Sequence, residues 1–355
     1  MIMIGSNNYL GMTNDPRVKE AAVEATRKYG SGCTGSRYLN GTLDLHVELE
    51  ERLAKFTKRE SALVFSTGFQ SNLGAISCIV GKNDAAIIDR ANHASIVEAC
   101  RLAFGKTYKF AHNNIDDLDR VLEKLDKNGF RGGILVVVDG VFSMEGDIID
   151  LPRLVGVANK YGARIMVDDA HAVGVLGKGG RGTGEHYDMI DKIDIQMGTF
   201  SKSFASIGGF IAGSSNTINF IKHHSRELIF SASLPPSSTA VVLKVLDIIE
   251  SEPERIQNLW KNAEKMHNGF RSLGFDIGAT QTPIVPVMVG EDMKCFTFWK
   301  ELFEKGIFTN PVISPAVPPD QALLRTSYTA THTDEHLNRV LEVFEKIGKK
   351  IGIIS

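Results

Sequence analysis

The chain has 355 residues, 43% of them hydrophobic and 23% charged, which are the proportions of an ordinary soluble globular protein and exclude a disordered or collagen-like chain. Its 40 basic and 42 acidic residues leave a net charge of −2, so no basic surplus points to nucleic acid and no charged run points to a tail. At roughly 100–200 residues per domain, the length predicts two domains, or one large α/β domain with an appendage. Cys33, Cys78, Cys100 and Cys295 are widely scattered, and none forms a C-x-x-C pair. That argues against a zinc ribbon or redox motif and for a reducing, cytoplasmic setting. No apolar run approaches the ~18 residues of a membrane span, and the opening Met1-Ile-Met-Ile-Gly-Ser lacks the basic start of a signal peptide.

In chain order, Met1–Asn14 reads as a strand that begins abruptly, followed by a helix over 16–29. Asp15 is its expected N-cap, Pro16 its first residue and Gly30 its stop. Leu45, Leu49, Leu53 and Phe56 recur at helical spacing and predict a second amphipathic helix over 44–57. Short apolar runs then alternate with helical stretches: Ala62–Ser66, Ala85–Asp89, Ile134–Asp139, Arg164–Asp168 and Asp194–Gly198. Near-continuous apolar strands are buried on both faces, so the pattern predicts a mostly parallel sheet covered by helices. Gly209–Gly213 follows after a connection short enough for an antiparallel partner. After Pro235-Pro236 the rhythm changes to one long helical region through residue 272, strand-like Pro283–Val289 and Leu323–Tyr328, and a final helix over 334–349. The expected division is an N-terminal strand segment (1–14), a large α/β domain (15–235) and a smaller α+β C-terminal domain (236–355).

Gly30-x-Gly32-x-x-Gly35 and Gly177-x-Gly179-x-x-Gly182 match the dinucleotide fingerprint in letters only. The first follows a helix rather than a strand, and the second lies in a polar loop, so neither has the strand–turn–helix context that motif needs. The informative residues stand just after strands, where open α/β sheets bind ligands. They are Ser66-Thr67-Gly68-Phe69-Gln70, His93, Ser143, Asp168-Asp169-Ala170-His171 and Thr199-Phe200-Ser201-Lys202. Singly they read as a Ser/Gly turn, structural histidines, a capping or ion-paired aspartate and a surface lysine. Jointly they supply a phosphate cup at a helix N-terminus, an acid for a pyridinium nitrogen and a lysine able to form a Schiff base. That is the set pyridoxal 5'-phosphate requires.

The chain resembles the α-oxoamine synthases, pyridoxal-phosphate enzymes of the aspartate-aminotransferase-like fold (fold type I). The likeness is carried by Ser6-Asn-Asn-Tyr-Leu-Gly11, Gly30-Ser-Gly-Cys-Thr-Gly-Ser-Arg37, Asn40–Glu50, Asn92-His-Ala-Ser95, Asp139-Gly-Val-Phe-Ser-Met-Glu-Gly146, Val167-Asp-Asp-Ala-His171 and Gly198-Thr-Phe-Ser-Lys202. It implies that Lys202 carries the cofactor, Asp168 pairs with its ring nitrogen, His171 bonds its phenolic oxygen and His93 stacks on its face. It further implies that Gly68, Phe69, Ser143, Thr199 and Ser201 hold the cofactor on one subunit, and that Ser231 and Ala232 reach the phosphate of a neighbouring subunit in a homodimer with shared sites. Arg325, assisted by Asn7, matches the arginine that grips the substrate carboxylate. Family members join an amino acid to an acyl-CoA and lose CO2. Gly198–Ser203 and Asn310–Pro318 resemble the branch that joins L-serine to palmitoyl-CoA, whereas other branches use glycine with acetyl-CoA or alanine with a pimeloyl thioester. Neither a metal nor nucleic acid is implied, and a lipid product leaves room for peripheral membrane contact. A non-catalytic scaffold subunit would lack Lys202, and a plain aminotransferase would lack the extended motifs. Family members usually carry a helical segment ahead of the Asn-x-Tyr-Leu-Gly strand, and this chain reads as starting almost at that strand.

Overall fold

The computed structural model describes residues 1–355, which fall into two compact units. The larger comprises Met12–Phe142 and Ile149–Glu252, and the smaller gathers Met1–Gly11, Ser143–Ile148 and Pro253–Ser355. This differs from the division expected at residues 14 and 235, for physical reasons. Helix Pro236–Ser251 packs on helices Pro16–Tyr29 and Asp44–Thr57, so it belongs to the larger unit. The helical region expected through about residue 272 is two helices divided at Glu252-Pro253, because a residue before proline is driven out of the α region, and Glu252 sits at φ −124°, ψ 65°. The N-terminal strand Ile2–Met3 pairs in parallel with Ile307–Phe308, and the Ser327 amide donates to the Ile4 carbonyl at 2.7 Å. The excursion 143–148 is held by Thr282 Oγ1 and the Gln281 amide, which donate to the Gly146 carbonyl at 2.9 and 3.1 Å.

The larger unit is built on a seven-stranded sheet. In spatial order its strands are Ser61–Phe65, Gly209–Gly213, Ile195–Thr199, Arg164–Asp168, Ile134–Asp139, Ala85–Asp89 and Lys106–Phe110. Only Gly209–Gly213 runs antiparallel to its neighbours. The period-2 alternation of a strand sends adjacent apolar residues to opposite faces. Ile88, Val137 and Met166 enter one core, while Ile87, Val136, Val138, Ile165 and Val167 enter the other. The edge strand Lys106–Phe110 lies outside the elements read from sequence. It is Lys-Thr-Tyr-Lys-Phe, mostly exposed, and its charges suit a sheet edge rather than an apolar interior. Asp15 caps helix Pro16–Tyr29 by accepting from the Arg17 amide at 3.0 Å, a contact whose loss costs about 1 kcal/mol. The first glycine-rich run follows helix Pro16–Tyr29 rather than a strand. In the second, the Gly179 and Arg181 amides donate to Glu185 Oε2, and a Cβ on Gly182 would stand 2.2 Å from Asp169 Oδ2. That loop wraps the protein's own carboxylates.

The smaller unit has an antiparallel sheet of Asn310–Val312, Ala322–Ser327 and Ile284–Gly290. Helices Glu254–Ser272, Asp292–Glu304 and Asp334–Lys350 supply its core, where Phe270, Phe275, Phe298 and Phe344 meet ring against ring. Asp292–Glu304 is an element the sequence reading passed over. No helix in the molecule is long and apolar enough to cross a membrane.

Candidate active site

Parallel strands in register bring their C-terminal residues to one edge of the larger unit. Asp139 stands opposite Asp168, and Asp168 opposite Met197. Asp168 is only 3% exposed. Its Oδ2 accepts from Asn72 Nδ2 at 2.7 Å and its Oδ1 from the Ala170 amide at 2.9 Å. Each oxygen therefore keeps acceptor capacity for one more donor. Asp139 is also buried, and both that burial and the neighbouring Asp168 push its carboxyl well above the usual range. The His93 amide donates to Asp139 Oδ2 at 2.8 Å, which fixes the start of helix Ala94–Leu102. Burial lowers the pKa of the His93 ring, the Asp168 charge opposes that, and the Lys202 charge adds to it. Lys202 thus acts electrostatically on both His93 and Asp139.

Lys202 is half-buried, three residues beyond strand Ile195–Thr199. Thr199 Oγ1 lies 2.9 Å from Ser201 Oγ and donates to the Gly208 carbonyl at 3.1 Å. Helix Gly68–Ile79 begins against this turn. Its N-cap Thr67 accepts from the Gln70 amide at 3.1 Å, while the amides of Gly68 and Phe69 are first-turn donors with no intrahelical partner. A Cβ on Gly68 would meet Thr199 Oγ1 at 2.5 Å, so only glycine lets the helix start lie flush against the strand end. Gln70 Nε2 donates to Ser231 Oγ at 3.0 Å, Ser66 Oγ donates to the Ala232 carbonyl, and Ala232 bridges to Ser36. Ser231 and Ala232 therefore flank the same helix start within one chain. His171 is buried in the turn after strand Arg164–Asp168. Next door, Asp169 accepts from Thr183 Oγ1 at 2.5 Å and Gln196 Nε2 at 2.7 Å; burial nonetheless pushes its carboxyl up to about 7.

This arrangement fits pyridoxal phosphate. A buried carboxylate with spare lone pairs can take a pyridinium N–H, and free amides with two hydroxyls at a helix N-terminus can take a phosphate. Asn72, Ser95 and Asp139 were not singled out from sequence. Asp139 could have been, since it ends an apolar strand as Asp168 does. Asn72 reaches the site from inside a helix, where a strand-end search does not look.

In the smaller unit, Arg325 is 5% exposed on the central strand of the sheet. Its Nε donates to the Ser143 carbonyl at 2.6 Å and its Nη2 to Asn7 Oδ1 at 3.0 Å. Tyr9 is a third partner of the Arg325 side chain, and a guanidinium with five N–H donors keeps donors beyond these three partners for a ligand. Tyr9, wholly buried, has its hydroxyl pushed up to about 12 by desolvation, which the Arg325 charge partly offsets. Sequence placed Ser143 among the cofactor residues. The bond the structure gives it is through its backbone carbonyl, on Arg325.

The family model described as aminotransferase class I and II matches residues 1–344. Serine palmitoyltransferase from Sphingobacterium spiritivorum is 49% identical over 355 residues, covering 100% of this chain and 88% of that protein. 8-Amino-7-oxononanoate synthase from Thermoanaerobacter pseudethanolicus is 43% identical over 354 residues, covering 100% and 89%. Among solved structures, a lysine-to-alanine variant of serine palmitoyltransferase from S. paucimobilis, with a bound pyridoxal-phosphate–myriocin aldimine, superposes with a TM-score of 0.96 at 39% identity, covering 99% of this chain and 88% of that one.

Proposed function

Because this chain belongs to the class I and II aminotransferase family, we propose that it is a pyridoxal-phosphate-dependent acyltransferase that joins L-serine to palmitoyl-CoA, releasing CoA and CO2 and giving 3-oxosphinganine. The observation that carries this reading is the buried strand-end carboxylate of Asp168 with spare acceptor capacity, in a chain alike along its whole length to serine palmitoyltransferase. Bound pyridoxal phosphate supplies an electron sink for the bonds at the amino acid's Cα.

The chain's own residues do the rest. Lys202 would hold the cofactor through its amine and, as a free amine, would act as general base toward the amino acid's Cα proton. Asp168 would hold the ring nitrogen protonated, His171 would bond the phenolic oxygen and His93 would stack on the ring. The Gly68 and Phe69 amides with Thr199 and Ser201 hold the phosphate, and Ser231 and Ala232 serve the phosphate of a second copy. Arg325 takes the substrate carboxylate, with Asn7, Tyr9 and the Ser143 carbonyl aiming the fork.

A homodimer is supported by Leu39, Phe69 and Phe230, which are exposed beside Ser36, Gln70 and Ser231. Large apolar side chains clustered in water mark interaction surfaces. The four cysteines are unpaired, which supports a reducing cytoplasmic setting, and a long-chain substrate with a lipid product suits peripheral contact with a bilayer. The runner-up is alanine with a pimeloyl thioester, favoured by the 43% identity to 8-amino-7-oxononanoate synthase. A panel of amino acids crossed with acyl thioesters decides. Turnover with serine and palmitoyl-CoA is expected, turnover with alanine and the pimeloyl thioester alone would favour the runner-up, and turnover with glycine and acetyl-CoA alone would reject both.

A further inference from the structure

We infer that Asn72 and Ser95 are positioning residues that tie the Asp168 carboxylate to the His93 ring and hold that ring as the tautomer protonated on Nε2. Asn72 lies in helix Gly68–Ile79 and is 1% exposed. Its Nδ2 donates to Asp168 Oδ2 at 2.7 Å and to Ser95 Oγ at 2.8 Å. An ionised carboxylate only accepts, so the amide nitrogen must face Asp168, and both its hydrogens are then spent. Ser95 Oγ, already accepting from Asn72, turns its own hydrogen to His93 Nδ1, 2.7 Å away. The Ser95 backbone amide donates to the same Nδ1 at 3.2 Å. With two donors aimed at it, Nδ1 must present its lone pair, and the ring proton goes to Nε2.

Asn72 Oδ1 is buried with no partner, so the side chain is held there for its donors rather than its acceptor. The chain of bonds runs Asp168, Asn72, Ser95, His93, with every donor direction set by the charge at its start. This inference rests on the reading of Asp168 and His93 as cofactor residues for its role, though not for its geometry. Functionally, the relay would carry the ring-nitrogen partner's charge to the residue covering the ring face, so that neither rotates independently when substrate arrives.

The test is long-range nitrogen–proton NMR of the full chain labelled with 15N-histidine, recorded before and after pyridoxal phosphate is added, with His93 assigned by its loss in His93→Gln. The expected parent spectrum shows His93 protonated on Nε2 alone. Ser95→Ala leaves only the longer backbone donor, so a fraction protonated on Nδ1 appears. Ser95→Thr restores the hydroxyl and the parent pattern, which a merely structural loss would not do. Asn72→Ala is expected to weaken pyridoxal phosphate binding about tenfold, the usual effect of losing one hydrogen bond to a charged group. A parent spectrum with His93 protonated on Nδ1, or Ser95→Ala spectra identical to the parent's, would overturn the relay. Should Ser95→Ala fail to fold, the parent spectrum alone decides. The tautomer before addition is independent of the cofactor reading, which fails separately if pyridoxal phosphate leaves no visible absorbance on the protein.

Discussion

The two units solve opposite electrostatic problems with the same device. In the larger, a buried anion, Asp168, is held by donors from Asn72 and Ala170. In the smaller, a buried cation, Arg325, is held by acceptors from Ser143 and Asn7. A buried charge is tolerated only when it is paired or hydrogen-bonded, and in both places the bonds stop short of full satisfaction. Asp168 keeps lone pairs, and Arg325, bonded by Ser143, Asn7 and Tyr9, keeps some of its five donors. The lesson is that each unit prepays most of the desolvation of its charge and leaves one vector open for a ligand of opposite sign. Under the proposed function that ligand would be a protonated ring nitrogen in the larger unit and a carboxylate in the smaller.

Substitutions that attack one side and spare the other break or sharpen this comparison. The largest effect is expected from Lys202→Ala. It should remove the cofactor's protein-linked visible absorbance and lower turnover by at least the ~10²–10⁴-fold typical of general acid–base groups, read by absorbance and steady-state kinetics. Asp168→Asn keeps the shape and loses the charge. Removing one partner of a buried charged pair costs about 3–5 kcal/mol, so kcat should fall by about 10²–10⁴-fold, with the KM for the amino acid moving far less. Arg325→Lys is expected to show the converse split. It loses the planar fork, and the KM for the amino acid should rise about 10–100-fold, the equivalent of a hydrogen bond to a charged group, while the cofactor's absorbance is unchanged.

The smallest effect concerns Asp169, whose carboxyl burial raises to about 7. Between an unfolded value of about 4 and that folded value, the native state holds a proton the unfolded chain does not. Its contribution to stability is therefore fully present at low pH and declines as pH rises toward about 7. Asp169→Asn should remove that slope, so the gap in Tm between parent and variant should change between pH 5 and pH 8 and be flat above that range.

Much of the fold was legible because burial leaves a signature in composition. Ile134–Asp139 and, after Arg164, Ile165–Asp168 are apolar up to a final aspartate. The site aspartate and lysine followed from the rule that ligands bind beyond strand ends. What stayed hidden was set by tertiary context. Lys106–Phe110 carries the charges of a sheet edge and has no apolar run to announce it. The boundary after Ser251 depends on which neighbours helix Pro236–Ser251 packs against, and Pro235-Pro236 gives the more conspicuous local signal. Asn72 is an unfavoured residue in mid-helix, and its reason lies in Asp168, remote in sequence. Ser143, although it follows strand Ile134–Asp139 in sequence, belongs to the smaller unit and bonds Arg325 there through its backbone, a contact no side-chain pattern encodes.

The central claim is a carbon–carbon bond made with loss of the amino acid's carboxylate. Mass spectrometry of the protein incubated with carboxyl-13C serine and palmitoyl-CoA tests it most directly. The account predicts an unlabelled long-chain amino ketone and labelled CO2 in equal amounts. An acylated serine that retains the label, or pyruvate or an exchanged amino group with no new carbon–carbon bond, would contradict it.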